Sequence, residues 1–506
     1  MILLHYPAHS RFNPYMHQIF ATMPIHRTLL CLAALFILHG IFGCTKVGPD
    51  YLKASPMAPV EWQAPIENGL NASPSDPQVL AEWWTILGDP LLSSFIHRAV
   101  AGNVNLEQAR ARLLEARAKR DMSSAGLFPT LDANGSMTRS RSSSTRGADT
   151  KATSYSSGFD AGWELDLFGG KQRTVEAAQA QLEASEEDLR DVLVSLLAEV
   201  ALNYIEVRTF QSRLQIADAN LTAQKETLAL VEARHQSGLV GELALQQAKF
   251  LVAGTRAQIP TLQTGLSKAT NQLAVLLGQH PGSLNAQLQD PAALPALPPS
   301  VAVGIPAETL QRRPDIRKAE RQLAAQTAQI GIATADLYPS FKLTGSIGLD
   351  ALSAGKLFNS GSGGYSFGPN LSWRIFDGGA TAANIRLQSS LQQETGARYK
   401  ATVLSALEEV EGSLVAYAQE QNRYQALLEA VAAAELAATL ADLQYQAGLI
   451  NFTEVLDAKR SRLSLEDQLA TSAATKAGNL VRLYKALGGG WTSLLPETTP
   501  FSGKQQ

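Results

Sequence analysis

One spacing governs this chain: 210 residues. The stretch GLFPTLDANGS at Gly126–Ser136 returns as DLYPSFKLTGS at Asp336–Ser346, and HQSGL at His235–Leu239 returns as YQAGL at Tyr445–Leu449. Lys249 and Lys459 stand at the same offset, as do Leu277-Gly278 and Leu487-Gly488, and the pairs Gly169-Gly170 and Gly378-Gly379 differ by 209. Chance does not place five landmarks at one distance. The chain is two copies of one large unit, which excludes a short-period solenoid.

Each unit reads helix, strand, strand, long helix, helix. In the first, Leu131, Ala133, Gly135 and Met137 alternate with Asp132, Asn134, Ser136 and Thr138, and Phe159, Ala161, Trp163, Leu165 and Leu167 alternate with Asp160, Gly162, Glu164 and Asp166. In the second, Phe341, Leu343, Ile347 and Leu349 alternate with Lys342, Thr344, Ser346 and Asp350; Phe367, Leu371, Trp373 and Ile375 alternate with Ser366, Asn370, Ser372 and Arg374. Period two with one apolar face fits membrane-barrel strands, and also a half-buried sheet packed on helices. Strands of about ten residues and a long polar hairpin loop, Thr138–Ser157, favour the barrel. Four strands cannot close one, since about eight are the minimum. A closed barrel is then shared: two chains give eight strands, three give twelve, and sharing removes the exposed edges.

Gly170 to Gly238, and Gly379 to Gly448, hold no proline. Each is about 68 residues, ~100 Å of helix, a length that indicates coiled-coil or bundle packing. Leu193, Val200, Val207, Leu214, Leu221 and Leu228 recur every seventh residue; Val403, Val410, Tyr417, Tyr424, Val431 and Ala438 do the same in the second copy. A strict seven-residue period winds left-handed, and the more polar second ladder is expected to pack less tightly. The first repeat is set at 88–290 (hairpin 129–168, helices 170–237 and 241–278). A Pro-rich linker follows at 291–306, then the second repeat at 307–489 (hairpin 339–377, helices 379–447 and 451–487) and a tail at 490–506.

Arg27 precedes sixteen mostly apolar residues ending at Gly43, too short to span a bilayer and typical of a secretory leader. Residues 1–43 are therefore expected to be a signal peptide, with 1–22 reflecting an upstream start. Ile41-Phe42-Gly43-Cys44 resembles a bacterial lipobox, so diacylglycerol and palmitate are expected on Cys44, and two chains suffice for stable anchoring. Thr45, in place of Asp, implies export to the outer membrane. Net charge is −3 and charged residues are 18% against 45% hydrophobic, which excludes long disorder and offers no basic field for nucleic acid. Five of the eight histidines precede Cys44, and no metal-ligand spacing, P-loop or nucleophile elbow occurs. No enzyme activity, cofactor or metal is expected.

These landmarks resemble the TolC-like outer membrane efflux proteins, and within them the NodT-type lipoproteins. The resemblance rests on CTKVGPDY (Cys44–Tyr51), WWTILGDPLL (Trp83–Leu92), the stretch Arg312–Phe341 beginning RRPDI, the FGG and FDGG turns, and the two QxGL turns. It implies a fold that is mainly α with membrane β. Three chains share a twelve-stranded outer-membrane barrel, four strands each, continued by a helical periplasmic tunnel, with 44–87 as an N-terminal periplasmic segment. It implies a passive exit duct: a homotrimer working with a periplasmic adaptor and an inner-membrane transporter of RND type, in the outer membrane of a Gram-negative bacterium.

The resemblance places a periplasmic gate at the turns after the long helices. Glu454 and Asp457, three apart, share a helix face, and three-fold symmetry would put six carboxylates around one constriction, selecting cations. A solvated helix start is the plainer reading of both. Tyr445 matches a position that holds the closed state by hydrogen bonding, with core packing as its alternative. Ile450 stands where some relatives carry arginine. Gly238 and Gly448 serve the turns and mark where the adaptor docks. Trp163 and Trp373 are expected at the membrane interface. A duct for ATP-driven protein secretion, and a lipidated coiled-coil adaptor or scaffold, are the competing readings.

Overall fold

The computed structural model describes residues 46–53, 58–74, 76–141, 145, 151–492 and 494. Among them the chain forms β1 (Leu70–Asn71), α1 (Pro77–Ala81), a 3₁₀ turn (Trp83–Leu87), α2 (Pro90–Gly102), α3 (Val104–Ala125), β2 (Thr130–Arg141), β3 (Lys151–Leu165), α4 (Gly170–Gln236) and α5 (Glu242–Leu276). Then follow β4 (Val301–Ala302), α6 (Pro306–Arg312), α7 (Pro314–Ala335), β5 (Ser340–Ala351), a 3₁₀ turn (Ala354–Lys356), β6 (Gly363–Ser372), α8 (Ala380–Gln446) and α9 (Phe452–Ala486). Contacts divide the chain into two units. Among the described residues, one gathers 46–49, Gly126–Thr174 and Ile330–Ile385; the other gathers Asp50–Ala125, Val175–Gln329 and the chain from Arg386.

The first unit is an antiparallel sheet in the order β2-β3-β5-β6. Its register aligns the alternating patterns of all four strands. Leu131, Ala161, Gly345 and Phe367 form one row, and Ala133, Phe159, Ile347 and Tyr365 the next on the same face. Asp132, Asp160, Ser346 and Ser366 form a row on the opposite face. Phe159, Ile347, Tyr365 and Phe367 are exposed, so within one chain the apolar face has nothing to cover it. The outer strands β2 and β6 each pair on one side only among the described residues. At the β3–β5 join, Gly158 faces Gly348, and a Cβ on Gly158 would lie 2.6 Å from the Ile347 carbonyl oxygen. Glycine is required there by a close approach of two backbones.

The second unit holds the large core. Trp83 and Trp84 are buried with Leu92, Phe95, Leu197, Tyr204 and Leu480, and Trp83 stacks on Tyr484 at 5.9 Å. Asp89 caps α2 by accepting from the Leu91 and Leu92 amides at 2.9 and 3.0 Å, with Pro90 at the first helical position. It also accepts from the Tyr204 hydroxyl at 2.6 Å. Burial and that bond push the Tyr204 hydroxyl up to about 12. The RRPDI stretch works as a clamp. Arg313 donates to the Ala486 carbonyl at 2.8 Å, and to Asp315 and Glu409 at 2.8 and 2.7 Å, tying the start of α7 to α8 and the end of α9.

The N-terminal segment is pinned by backbone donors. Glu411 accepts from the Gln63 and Ala64 amides, both at 2.8 Å, and β1 pairs in parallel with β4. The seven-residue ladders reverse one expectation. Val403, Val410, Tyr417, Val431 and Ala438 are buried, leaving Tyr424 half-buried, whereas Leu214 and Leu228 of the first ladder are both half-buried. The second copy is not the looser one, because its alanine and tyrosine side chains still fill the helix–helix groove.

Candidate functional site

Where α4 ends and α5 begins, and where α8 ends and α9 begins, the chain turns through the same motif twice. The Gly238 amide donates to the His235 carbonyl at 2.9 Å and the Leu239 amide to Arg234 at 2.8 Å. The Gly448 amide donates to Tyr445 at 3.1 Å and the Leu449 amide to Gln444 at 2.9 Å. These are Schellman ends, which need a left-handed residue, and Gly238 and Gly448 supply it at φ of 70° and 73°. A Cβ at either would meet nothing within 4 Å. Beside them Leu239 and Leu449 stand 74% exposed, an apolar residue at each open turn.

A small cluster, separate from the main core, holds the two turns together: Val231, Leu245, Ala248, Tyr445, Phe452 and Val455. Tyr445 is 7% exposed and its ring lies 5.5 Å from that of Phe452. Among the described residues of one chain, the Tyr445 hydroxyl is buried without a hydrogen-bond partner. Within one chain Tyr445 acts by packing and by its ring face, over which the Arg234 guanidinium sits at 4.9 Å. Arg234 also donates to the Tyr445 and Gln446 carbonyls, both at 3.4 Å. A cation thus sits at the C-terminal end of α8, where the helix dipole favours it.

Arg234 is the last rung of a stripe. On α4, Arg213 pairs with Asp467 through both carboxylate oxygens (2.6 and 3.0 Å), Asn220 donates to Glu466 at 2.8 Å, and Thr227 accepts from Lys459 at 2.8 Å. Arg213, Asn220, Thr227 and Arg234 are seven apart, one position before the apolar ladder, and all four reach the other repeat. Sequence reasoning missed this seam. Its signal was the same period of seven read one residue earlier. In the second copy the stripe reads Arg423, Ala430, Ala437 and Gln444, exposed or half-buried.

Glu454 and Asp457 are exposed on α9, on the side away from buried Val455 and Leu456. Neither is brought to Tyr445 by a direct bond. On the sheet, Trp163 donates to the Leu127 carbonyl and Trp373 to the Leu337 carbonyl, each at 3.0 Å. Both indoles keep an exposed ring (39% and 56%) with a satisfied N–H. Cys44 lies outside the described residues.

The sequence profile of the outer membrane efflux protein family matches residues 95–279 and 305–489, one match per repeat. The chain belongs to the outer membrane efflux protein family. It is 34% identical to nodulation protein T of Rhizobium leguminosarum bv. trifolii over 89% of this chain and 95% of that protein. It is 32% identical to the cation efflux system protein CusC of Escherichia coli O6:H1 over 89% and 96%. The solved outer-membrane channel OprN superposes with a TM-score of 0.83 at 36% identity, covering 88% of this chain and all of that one. The chain is thus a TolC-like, NodT-type outer membrane factor. Its fold class is the trimeric one, with a twelve-stranded barrel shared by three chains and a helical tunnel, in the outer membrane of a Gram-negative bacterium.

Proposed function

We propose that this chain, as a homotrimer, is the outer-membrane exit duct of a tripartite efflux system. It conducts substrates passively from an inner-membrane transporter of RND type, through a periplasmic adaptor, to the outside. One observation carries the reading: four strands with an apolar face, a polar face and two edges unpaired among the described residues. Exposed strand edges and an uncovered apolar face are unstable in water. Three copies in lipid remove both and leave the polar face lining a pore.

The gate in this reading is the paired turn. Arg234, Tyr445 and Phe452 hold the two repeats together at the tip, and Glu454 and Asp457 supply carboxylates to the constriction. The adaptor docks on the turns at Gly238 and Gly448, where Leu239 and Leu449 offer exposed apolar contacts, and in docking it pulls the tips apart. Cys44 carries the diacylglycerol and palmitate that tether the N-terminal segment to the membrane. Purified protein in planar bilayers tests the duct. A small closed-state conductance with cation preference is expected, and a membrane left sealed at every protein concentration would refute it. Leu239→Asp with Leu449→Asp tests docking: efflux-dependent resistance should be lost while bilayer conductance persists. Loss of acyl labelling in Cys44→Ala tests the anchor.

A further inference from the structure

The apolar face explains the middle of the sheet but not its loop end. Along one side of β2, Leu131, Ala133, Gly135 and Met137 are followed by Arg139 and Arg141, and Arg141 faces Lys151 of β3 in register. Three cations thus continue the face that elsewhere carries hydrocarbon side chains, and all three are exposed. Trp163 marks the other end of that face. Thr153, which pairs with Arg139, lies ten residues from it along β3. At about 3.3 Å per residue and a tilt of about 40°, that separation is ~25 Å of height, the depth of a lipid-facing apolar band. The cations therefore begin where the hydrocarbon ends. They do so at the hairpin loop, the end of the strands away from the connections into the helices, which is the outer surface of the membrane.

The cluster is particular to the first repeat: the positions 210 residues on are Leu349, Ala351 and Gly361.

We propose that Arg139, Arg141 and Lys151 form a binding site for the phosphate groups of lipid headgroups in the outward-facing leaflet, one site per chain. Arginine offers paired donors that match phosphate oxygens, and lysine adds a mobile point charge. Their long stems lie along the apolar face while the charged ends reach the headgroup layer. The inference rests on the apolar face meeting lipid and is independent of what the duct carries.

The test uses the full-length trimer in mild detergent. Binding of fluorescent diphosphoryl lipid A is compared with binding of the same lipid stripped of both phosphates. The wild type should prefer the phosphorylated form by roughly a hundredfold, and the preference should shrink as salt rises. Arg139→Gln with Arg141→Gln and Lys151→Gln should cut it below about threefold, while Arg139→Lys with Arg141→Lys should keep most of it. Equal binding of the two lipids by the wild type overturns the proposal, and so does a preference that survives the triple substitution. Full competition by millimolar inorganic phosphate also overturns it, since the site would then take free anion and not lipid. Should the triple variant fail to assemble, the wild-type salt titration decides: a salt-insensitive preference refutes the site. Bilayer conductance of the same variants reports the duct separately, so lost lipid preference with normal conductance leaves the duct reading standing.

Discussion

The two ends of the helical hairpins use one turn and surround it differently. Gly238 and Gly448 end α4 and α8; Gly278 and Gly488 follow α5 and α9. All four glycines are left-handed, at φ between 70° and 76°, and all four close Schellman-type bonds. At Gly278 an added Cβ would lie 1.9 Å from the Gly102 carbonyl oxygen, and at Gly488 it would lie 3.3 Å from the Arg313 side chain. At Gly238 and Gly448 it would meet open space. One end is set in the main core; the other is held by six buried side chains and one arginine. The same local motif therefore gives a fixed end and an end free to move, because burial and not the turn decides stability.

Substitution of the glycines should split the two ends most widely. Gly278→Ala combines left-handed strain with a backbone clash and is expected to cost about 4 kcal/mol or more. Gly238→Ala and Gly448→Ala carry the strain alone, about 1–2 kcal/mol each. Thermal unfolding of the purified trimers checks this, and equal losses at both ends would erase the contrast. Next in size is the seam. Arg234→Gln should raise single-channel conductance at least about twofold by freeing the end of α8, at a stability cost of about 1 kcal/mol. Arg213→Gln, on the same stripe but farther from the tip, should cost about as much with conductance unchanged. If both open the duct, the gate is the whole seam and not its last rung.

A smaller effect is expected at the exposed acids. Glu454→Ala with Asp457→Ala should leave stability within about 0.5 kcal/mol while reducing cation preference and raising conductance. Unaltered ion selectivity would return both residues to a solvated helix start. The smallest concerns Asp377, which caps α8 by accepting from the Gly379, Ala380 and Thr381 amides and the Thr381 hydroxyl. The Thr381 hydroxyl first, and then the amides, hold its carboxyl down at about 2. Because the folded value is depressed, its contribution is full above the ordinary carboxylate range and is lost as pH falls through about 2. Hydrogen exchange at the start of α8 should show faster opening in Asp377→Ala at neutral pH, and no difference from wild type at the acid limit.

What the sequence made legible follows from its periods. Alternation gave the strand faces because a pleated strand offers only two sides. The ladder gave the long helices because seven residues nearly complete two turns. Gly238 and Gly448 were legible because few other residues take a positive φ. Tyr445 was only partly so: its place at the tip could be read, whereas its unbonded hydroxyl depends on which side chains surround it. Arg234 could not be found by motif, since its acceptors are backbone carbonyls 211 and 212 residues away. A carbonyl carries no residue identity for a pattern to show.

The two copies sharpen this point. By itself the sequence determined a duplicated chain with membrane-type strands and heptad-period helices, because these are repeating local preferences that any alignment of the chain with itself displays. Only the tertiary structure decided that the first copy's polar stripe, Arg213 to Arg234, reaches across to the second copy. It alone showed that Gly278 is pressed against Gly102 while Gly238 stands open, and that strand register sets Lys151 opposite Arg141. None of these meetings follows from a local period; strand register and helix packing set them through burial and backbone geometry.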